Sequence, residues 1–195
     1  MNIYLSADLG SLDDRSFNLQ RIQKISVKAR DAGADLVLFG EASLHGFEAM
    51  TFDYATDIVI ASGVHAPEIA AIRQHARRVG IAIGFGFFEN LKGGIFSSYM
   101  VVDRHGDIAD LYRRVSPGWR IPDACADYRE GTSFHTFSLE GKTWAVMVCG
   151  DFWEDTLLTP LIALDPEVDG FFWPVHCDVD VDDWKAHEAD AYRQR

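Results

Sequence analysis

Short unbroken apolar runs alternate along this chain with stretches whose apolar residues return every three or four positions, the pattern of strands interleaved with amphipathic helices. Residues 2–8 (NIYLSAD) read as a strand. Asp13 or Asp14 then opens a helix to about residue 32, with Phe17, Ile22, Ile25 and Ala29 on its apolar side and Gly33 ending it. Residues 34–41 (ADLVLFGE) follow as a second strand closing on Glu41, so the chain opens with a β-α-β unit. After a loop over 42–50, a helix spans about 67–79, and three strands separated by turn residues come next: 81–89, 95–103 and about 107–114. The last carries Arg113 and Arg114 to its end, before a loop containing Pro and Gly that reaches residue 131. A hairpin across Glu140-Gly141 delivers the apolar run 144–148 (WAVMV), which reads as a strand buried on both faces and stops at Cys149. Gly150 permits a sharp turn, Asp151 and Glu154 have capping-box spacing, and Leu157, Leu158, Leu161 and Ile162 recur at helical intervals. A strand over 170–174 and a terminal helix over about 182–195 complete the pattern.

Strands alternating with helices define an α/β class. With 195 residues, 48% of them apolar, one globular domain over 1–195 with a sizeable core is expected. Eighteen basic against thirty acidic residues give a formal charge of −12, which repels phosphate backbones and anionic lipid, so neither nucleic acid nor a membrane is an expected partner. The start, MNIYLSADLG, lacks the pattern of a signal peptide, and no long apolar run follows, so a cytoplasmic protein is expected. Cys125, Cys149 and Cys177, odd in number and widely spaced, read as free thiols.

Three groups able to do chemistry stand at three expected strand ends: Glu41, Arg114 and Cys149. In layered α/β folds the loops at one edge of the strands build the site, and a thiol beside a carboxylate and a cation has what acyl transfer requires. Cys149 lies on an expected strand-to-helix turn, where free N–H groups at a helix start would favour a thiolate. Two plainer readings stand beside these: Cys149 as a small hydrophobe finishing a core strand, and Glu41 as a surface ion-pair residue at a loop start.

The segments VLFGEASLHGF, IADLYRRV and VMVCGDFWED, in that order, resemble the nitrilase superfamily of carbon-nitrogen hydrolases along essentially the whole chain. The resemblance implies a four-layer α-β-β-α sandwich that commonly dimerises and uses no cofactor. It also implies a small amide, N-carbamoyl or nitrile substrate, with Cys149 attacking the C–N carbon. Glu41 would be general base and acid, and the Gly150 N–H would help hold the oxyanion. Glu89, after GFGFF, resembles a further family glutamate near the substrate; Glu130 is the first choice for a second acid in the loop after Arg114, ahead of Asp123 and Asp127; Trp173 and His176 would line the pocket. Two departures stand out. Arg114 occupies the place of the family lysine, and the family continues into further strands beyond the terminal helix. Arg is longer and planar, so it is no simple substitute for Lys. A catalytically impaired relative that acts by binding or assembly is therefore the alternative, and a redox-sensing thiol a more distant one.

Other motifs carry less. The acidic run at 178, 180, 182 and 183 has Asp183 where a calcium loop needs glycine, the seven histidines form no metal-binding spacing, and no metal is expected. Gly84-Phe85-Gly86 lacks the helix start of a phosphate cradle and is better explained by close strand packing.

Overall fold

The computed structural model describes residues 1–7, 10–11, 14–177 and 179–194. Two sheets carry the architecture. The first has five strands in the spatial order β1 (Ile3–Leu5), β2 (Leu36–Leu38), β3 (Ala82–Leu91), β4 (Gly94–Val102) and β5 (Ile108–Arg113). Neighbours are parallel from β1 to β3 and antiparallel from β3 to β5. Parallel neighbours need crossovers, which α1 (Arg15–Asp31) and then α2 (Tyr54–Ile60) with α3 (Pro67–Val79) supply. The second sheet is the hairpin β6 (Thr136–Leu139) and β7 (Lys142–Val146), with β8 (Gly170–Phe172) parallel to β7.

Two apolar layers hold this together. Ile22 of α1 and Ile69 and Ile72 of α3 pack on Phe85, Phe87 and Met100 of the first sheet. On its other face Tyr99, Val101 and Tyr112 meet Trp144, Val146 and Phe172 of the second sheet, with Trp144 and Phe172 stacked at 4.7 Å. Each fully buried side chain of this size contributes about 1.5–3 kcal/mol, so the inter-sheet layer is what holds three short strands in place. Because that layer covers one face of the second sheet, the β7–β8 crossover through α4 (Leu158–Leu164) runs over the other. The order is helix, sheet, sheet, helix, an α-β-β-α sandwich.

The differences from expectation are local. The first strand is Ile3–Leu5, and Asp8, the alternative cap Asp13, Asp178 of the acidic run and Arg195 lie outside the described residues. Asp14 caps α1 by accepting from the Phe17 N–H at 2.8 Å, and the inward stripe runs through Asn18, Ile22, Ser26 and Ala29. That places Phe17 one position off the stripe, half exposed. Helix α2 was not anticipated, because it is anchored by a polar residue: the buried Asp57 accepts from the Thr51 and Phe52 N–H groups and the Tyr128 hydroxyl at 2.7–3.0 Å. The terminal helix begins at Val181, capped by Asp180, and passes through a π turn (Trp184–Glu188) before α6 (Ala189–Gln194); Val181–Asp183 is α5.

Candidate active site

Glu41 lies three residues beyond β2, in a turn that stays bound to β3: Phe39 N–H donates to Gly84 O and Leu44 N–H to Gly86 O, at 2.9 and 3.0 Å. A glycine at 86 is required by this approach, since a Cβ there would stand 2.3 Å from the Ala42 nitrogen. The close-packing explanation of Gly84-Phe85-Gly86 thus has a specific object, the Glu41 turn. Ala42 takes a left-handed backbone (φ 48°), an uncommon conformation for a residue with a Cβ.

The Glu41 side chain is almost wholly buried, and its two oxygens differ. Oε1 accepts from the Ser97 hydroxyl and from Arg114 Nη1, both at 2.9 Å. Oε2 is buried with no hydrogen-bond partner among the described residues. Arg114, equally buried, follows the last residue of β5. Its backbone N–H donates to Ser97 O at 2.9 Å and its Nε donates to Ser116 Oγ at 2.8 Å.

Cys149 also comes after its strand, not on it. Residues 147–149 continue from β7 alongside β8: Met147 N–H donates to Phe172 O and Cys149 N–H to Pro174 O. The sharp turn belongs to the cysteine itself, which adopts φ 43°; Gly150 has no positive φ. This is a strained elbow, but no α-helix starts at it. A short 3-10 turn (Cys149–Asp151) follows, and α4 begins only at Leu158. Asp151 is therefore no cap for that helix. It is fully buried and accepts four hydrogen bonds, from the Tyr112 hydroxyl and the Val148, Val115 and Ser116 N–H groups, at 2.7–3.0 Å. One carboxylate so clamps the cysteine turn to the Arg114 loop.

The electrostatics follow from this placement. Burial, followed by the charge of Glu41, pushes the Cys149 thiol up to about 12, with Arg114 opposing. Contrary to expectation, no helix N-terminus stands at Cys149 to favour a thiolate, and its Sγ is placed to donate to the His176 carbonyl at 3.8 Å.

The remaining candidates divide. Trp173 Nε1 donates to the Cys149 carbonyl at 2.9 Å and the His176 carbonyl faces the thiol, so both border the cysteine, while the His176 ring points to Phe47, on which it stacks at 4.7 Å, and to Glu48, which it bonds at 2.7 Å. Trp173 also lines an apolar cleft of about 510 Å³ between β1 and β8, with Leu5, Phe39 and Trp144. Glu89 lies on the other face of the first sheet. Its oxygens accept two bonds from Arg113, at 2.6 and 2.7 Å, and one from Ser98 at 2.8 Å, and none of these groups belongs to the Glu41 cluster. Glu130 bonds Arg120 at 2.5 Å. Ser97 and Ser116 were not anticipated; the signal for Ser97 is a pair of hydroxyls, Ser97-Ser98, inside an otherwise apolar strand. Among the described residues no group of three or more His, Cys, Asp or Glu is placed to hold a metal ion, and no helix is long and apolar enough to cross a membrane.

The α-β-β-α sandwich is a fold shared with known enzymes. A family model described as carbon-nitrogen hydrolase matches residues 7–166, and the chain belongs to that family. It is 30% identical over 140 residues to a formamidase of Pseudomonas syringae pv. tomato, a match covering 68% of this chain and 38% of that protein. It is 25% identical to the N-carbamoylputrescine amidase of Arabidopsis thaliana, covering 83% of this chain and 54% of that one. The chain thus spans about a third to a half of these relatives' length. Among solved structures it is similar in fold to an amidase of Nesterenkonia sp. AN1, in a mutant with acrylamide added at the active-site cysteine. That likeness has a TM-score of 0.77 at 19% identity and covers 98% of this chain and 73% of the other.

Proposed function

We propose that this protein hydrolyses the C–N bond of a small non-peptide amide, N-carbamoyl compound or nitrile through an acyl-enzyme on Cys149. The observation that carries this reading is the asymmetry of Glu41: one oxygen is held by Ser97 and Arg114, and the other is buried and unpartnered beside a thiol whose ionisation burial opposes. For an amide, Glu41 Oε2 takes the thiol proton as sulfur attacks the carbonyl carbon, whose C=O electron pair moves onto oxygen. The Gly150 N–H and Nη2 of Arg114 donate to that oxyanion. Collapse expels the amine with the proton held on Glu41 and leaves a thioester. Water, deprotonated by Glu41, then attacks the thioester, and the acid leaves as the thiol is restored. Trp173 holds the Cys149 carbonyl and His176 accepts from the thiol, so both orient the nucleophile. Glu89 and Glu130 have no step here; each anchors an arginine.

Ammonia release from formamide, short aliphatic amides, N-carbamoyl amines and nitriles, compared between the parent and Cys149→Ala, tests the proposal. Turnover by the parent alone is expected, and equal release by both proteins would overturn it. Silence of both across the panel would favour the binding reading, whose support is the Glu41–Arg114 ion pair that engages the proposed base. Pairing of two copies through a helical layer and residence in the cytoplasm go with the proposal, and sedimentation of the purified protein checks the first.

A further inference from the structure

Gly150 is conspicuous because its backbone does not require glycine. The left-handed residue of the turn is Cys149, whereas Gly150 has no positive φ. What glycine supplies is room. A Cβ at 150 would stand 2.2 Å from Arg114 Nη2, 3.1 Å from its Cζ and 3.2 Å from Ser116 Oγ. Such an overlap is cheap when the struck group is the loose end of a side chain. Here the guanidinium is held at Nη1 by Glu41 and at Nε by Ser116, and is buried. It cannot retreat without giving up at least one of those bonds.

We infer that Gly150 is a positioning residue matched to Arg114: the missing side chain is the slot that lets a guanidinium serve where this family carries the shorter lysine. Residues 114 and 150 form one unit, in which a bulkier cation is combined with a neighbour reduced to hydrogen. The slot lets Nη2 occupy the space a side chain at 150 would fill while Nη1 stays on one oxygen of Glu41. Lysine in the same slot would leave space beside Gly150 and Ser116 Oγ without its donor. This inference deepens the reading of the site as a thiol hydrolase and rests on it for the meaning of turnover, though not for the match between the two residues.

The test is a cycle of parent, Gly150→Ala, Arg114→Lys and the double variant. It is read by thermal unfolding, by the pH dependence of Cys149 alkylation with iodoacetamide, and by kcat and KM on whichever amide the parent turns over. For Gly150→Ala alone, a kcat at least tenfold lower with KM changed less is expected, together with a lower melting temperature. The alkylation curve should move to higher pH, because the cation that opposes the Glu41 charge is displaced. Adding Arg114→Lys to Gly150→Ala should recover at least part of all three, although Arg114→Lys alone is harmful. Effects that merely add, or a Gly150→Ala protein indistinguishable from the parent, would overturn the pairing. If Gly150→Ala does not fold, folding of the double variant supports the pairing and its failure to fold refutes it. If no protein of the set releases ammonia, the hydrolase reading is lost, while melting and alkylation still decide whether 114 and 150 act as one.

Discussion

Two Glu–Ser–Arg clusters sit back to back on the first sheet, their serines and arginines neighbours in sequence. Ser97 and Arg114 reach Glu41 on the face toward the second sheet; Ser98 and Arg113 reach Glu89 on the face toward the helices. Alternation along the strand sends neighbours to opposite faces, so a single Ser-Ser and a single Arg-Arg pair furnish both. The difference lies in how far each carboxylate is satisfied. Arg113 grips Glu89 with two nitrogens and Ser98 adds a third bond, which occupies both oxygens. Arg114 gives Glu41 one nitrogen and spends its Nε on Ser116, which leaves Oε2 without a partner. A carboxylate with every oxygen engaged is a structural tie, whereas one with a buried oxygen to spare can accept a proton. A glutamate near a site is thus judged by the bonds it lacks.

Substituting each glutamate breaks the comparison most directly. Glu41→Gln should lower kcat by about 10²- to 10⁴-fold, the usual contribution of a general acid–base, and should also cost about 3–5 kcal/mol of stability, because Arg114 is left buried without its counter-charge. Glu89→Gln should show only the second effect, leaving kcat per folded molecule within a few-fold while destabilising the protein by about 3 kcal/mol in urea unfolding. That figure is at the low end for a broken buried pair, because Arg113 keeps 30% of its side chain exposed. Equal kinetic losses in the two variants would remove the distinction. Next in size is Asp151→Asn. An amide nitrogen turned toward donors forfeits about half of the four bonds that clamp the two loops, so a loss of about 2–4 kcal/mol is expected, with a fall in kcat that Tyr112→Phe reproduces only in part.

The pH dependence sharpens the same contrast. Since the folded Cys149 thiol keeps its proton up to about 12 against a value of 9.0 without the fold, iodoacetamide should modify exposed Cys125 and Cys177 first. Reaction at Cys149 should climb only as pH rises from 9 toward 12, which peptide mass spectrometry resolves. The same sign means that this group's contribution to stability is complete below about pH 9 and is lost as pH rises beyond it, because the unfolded thiol then releases a proton that the folded one retains. Fast modification of Cys149 at pH 6 would contradict the buried-thiol picture. The smallest expected effect is that of Ser97→Ala, which removes one of the two bonds on Glu41 Oε1. A loss of about 1 kcal/mol, read as a fall in kcat of about fivefold, would show that Ser97 orients the base.

Much of this was legible in the residue pattern. The apolar run before Cys149, the β-α-β opening and the strand-rich middle place Glu41, Arg114 and Cys149 near strand ends, because local periodicity follows from which faces must be buried. Helix α3 and the β6–β7 hairpin lie where turn and stripe signals put them, since both are decided within a few residues. Roles that depend on distant partners were not legible. Asp151 has the spacing of a helix cap, yet its carboxylate is claimed by Tyr112, Val115 and Ser116, more than thirty residues away. Glu89 has the look of a site residue, and only strand alternation within a paired sheet sends it to the far face. Gly150 reads as a turn glycine, and only the packed guanidinium of Arg114 shows that it is a slot.

The order of elements, the class of fold and the three candidate groups at strand ends were therefore legible in the amino-acid sequence, through burial patterns that act over a few residues. Which oxygen of Glu41 is left open, whether Cys149 rests as thiol or thiolate, and which arginine faces the site were decided by tertiary structure. Hydrogen-bond satisfaction and desolvation depend on what the other sheet and loops bring to each atom.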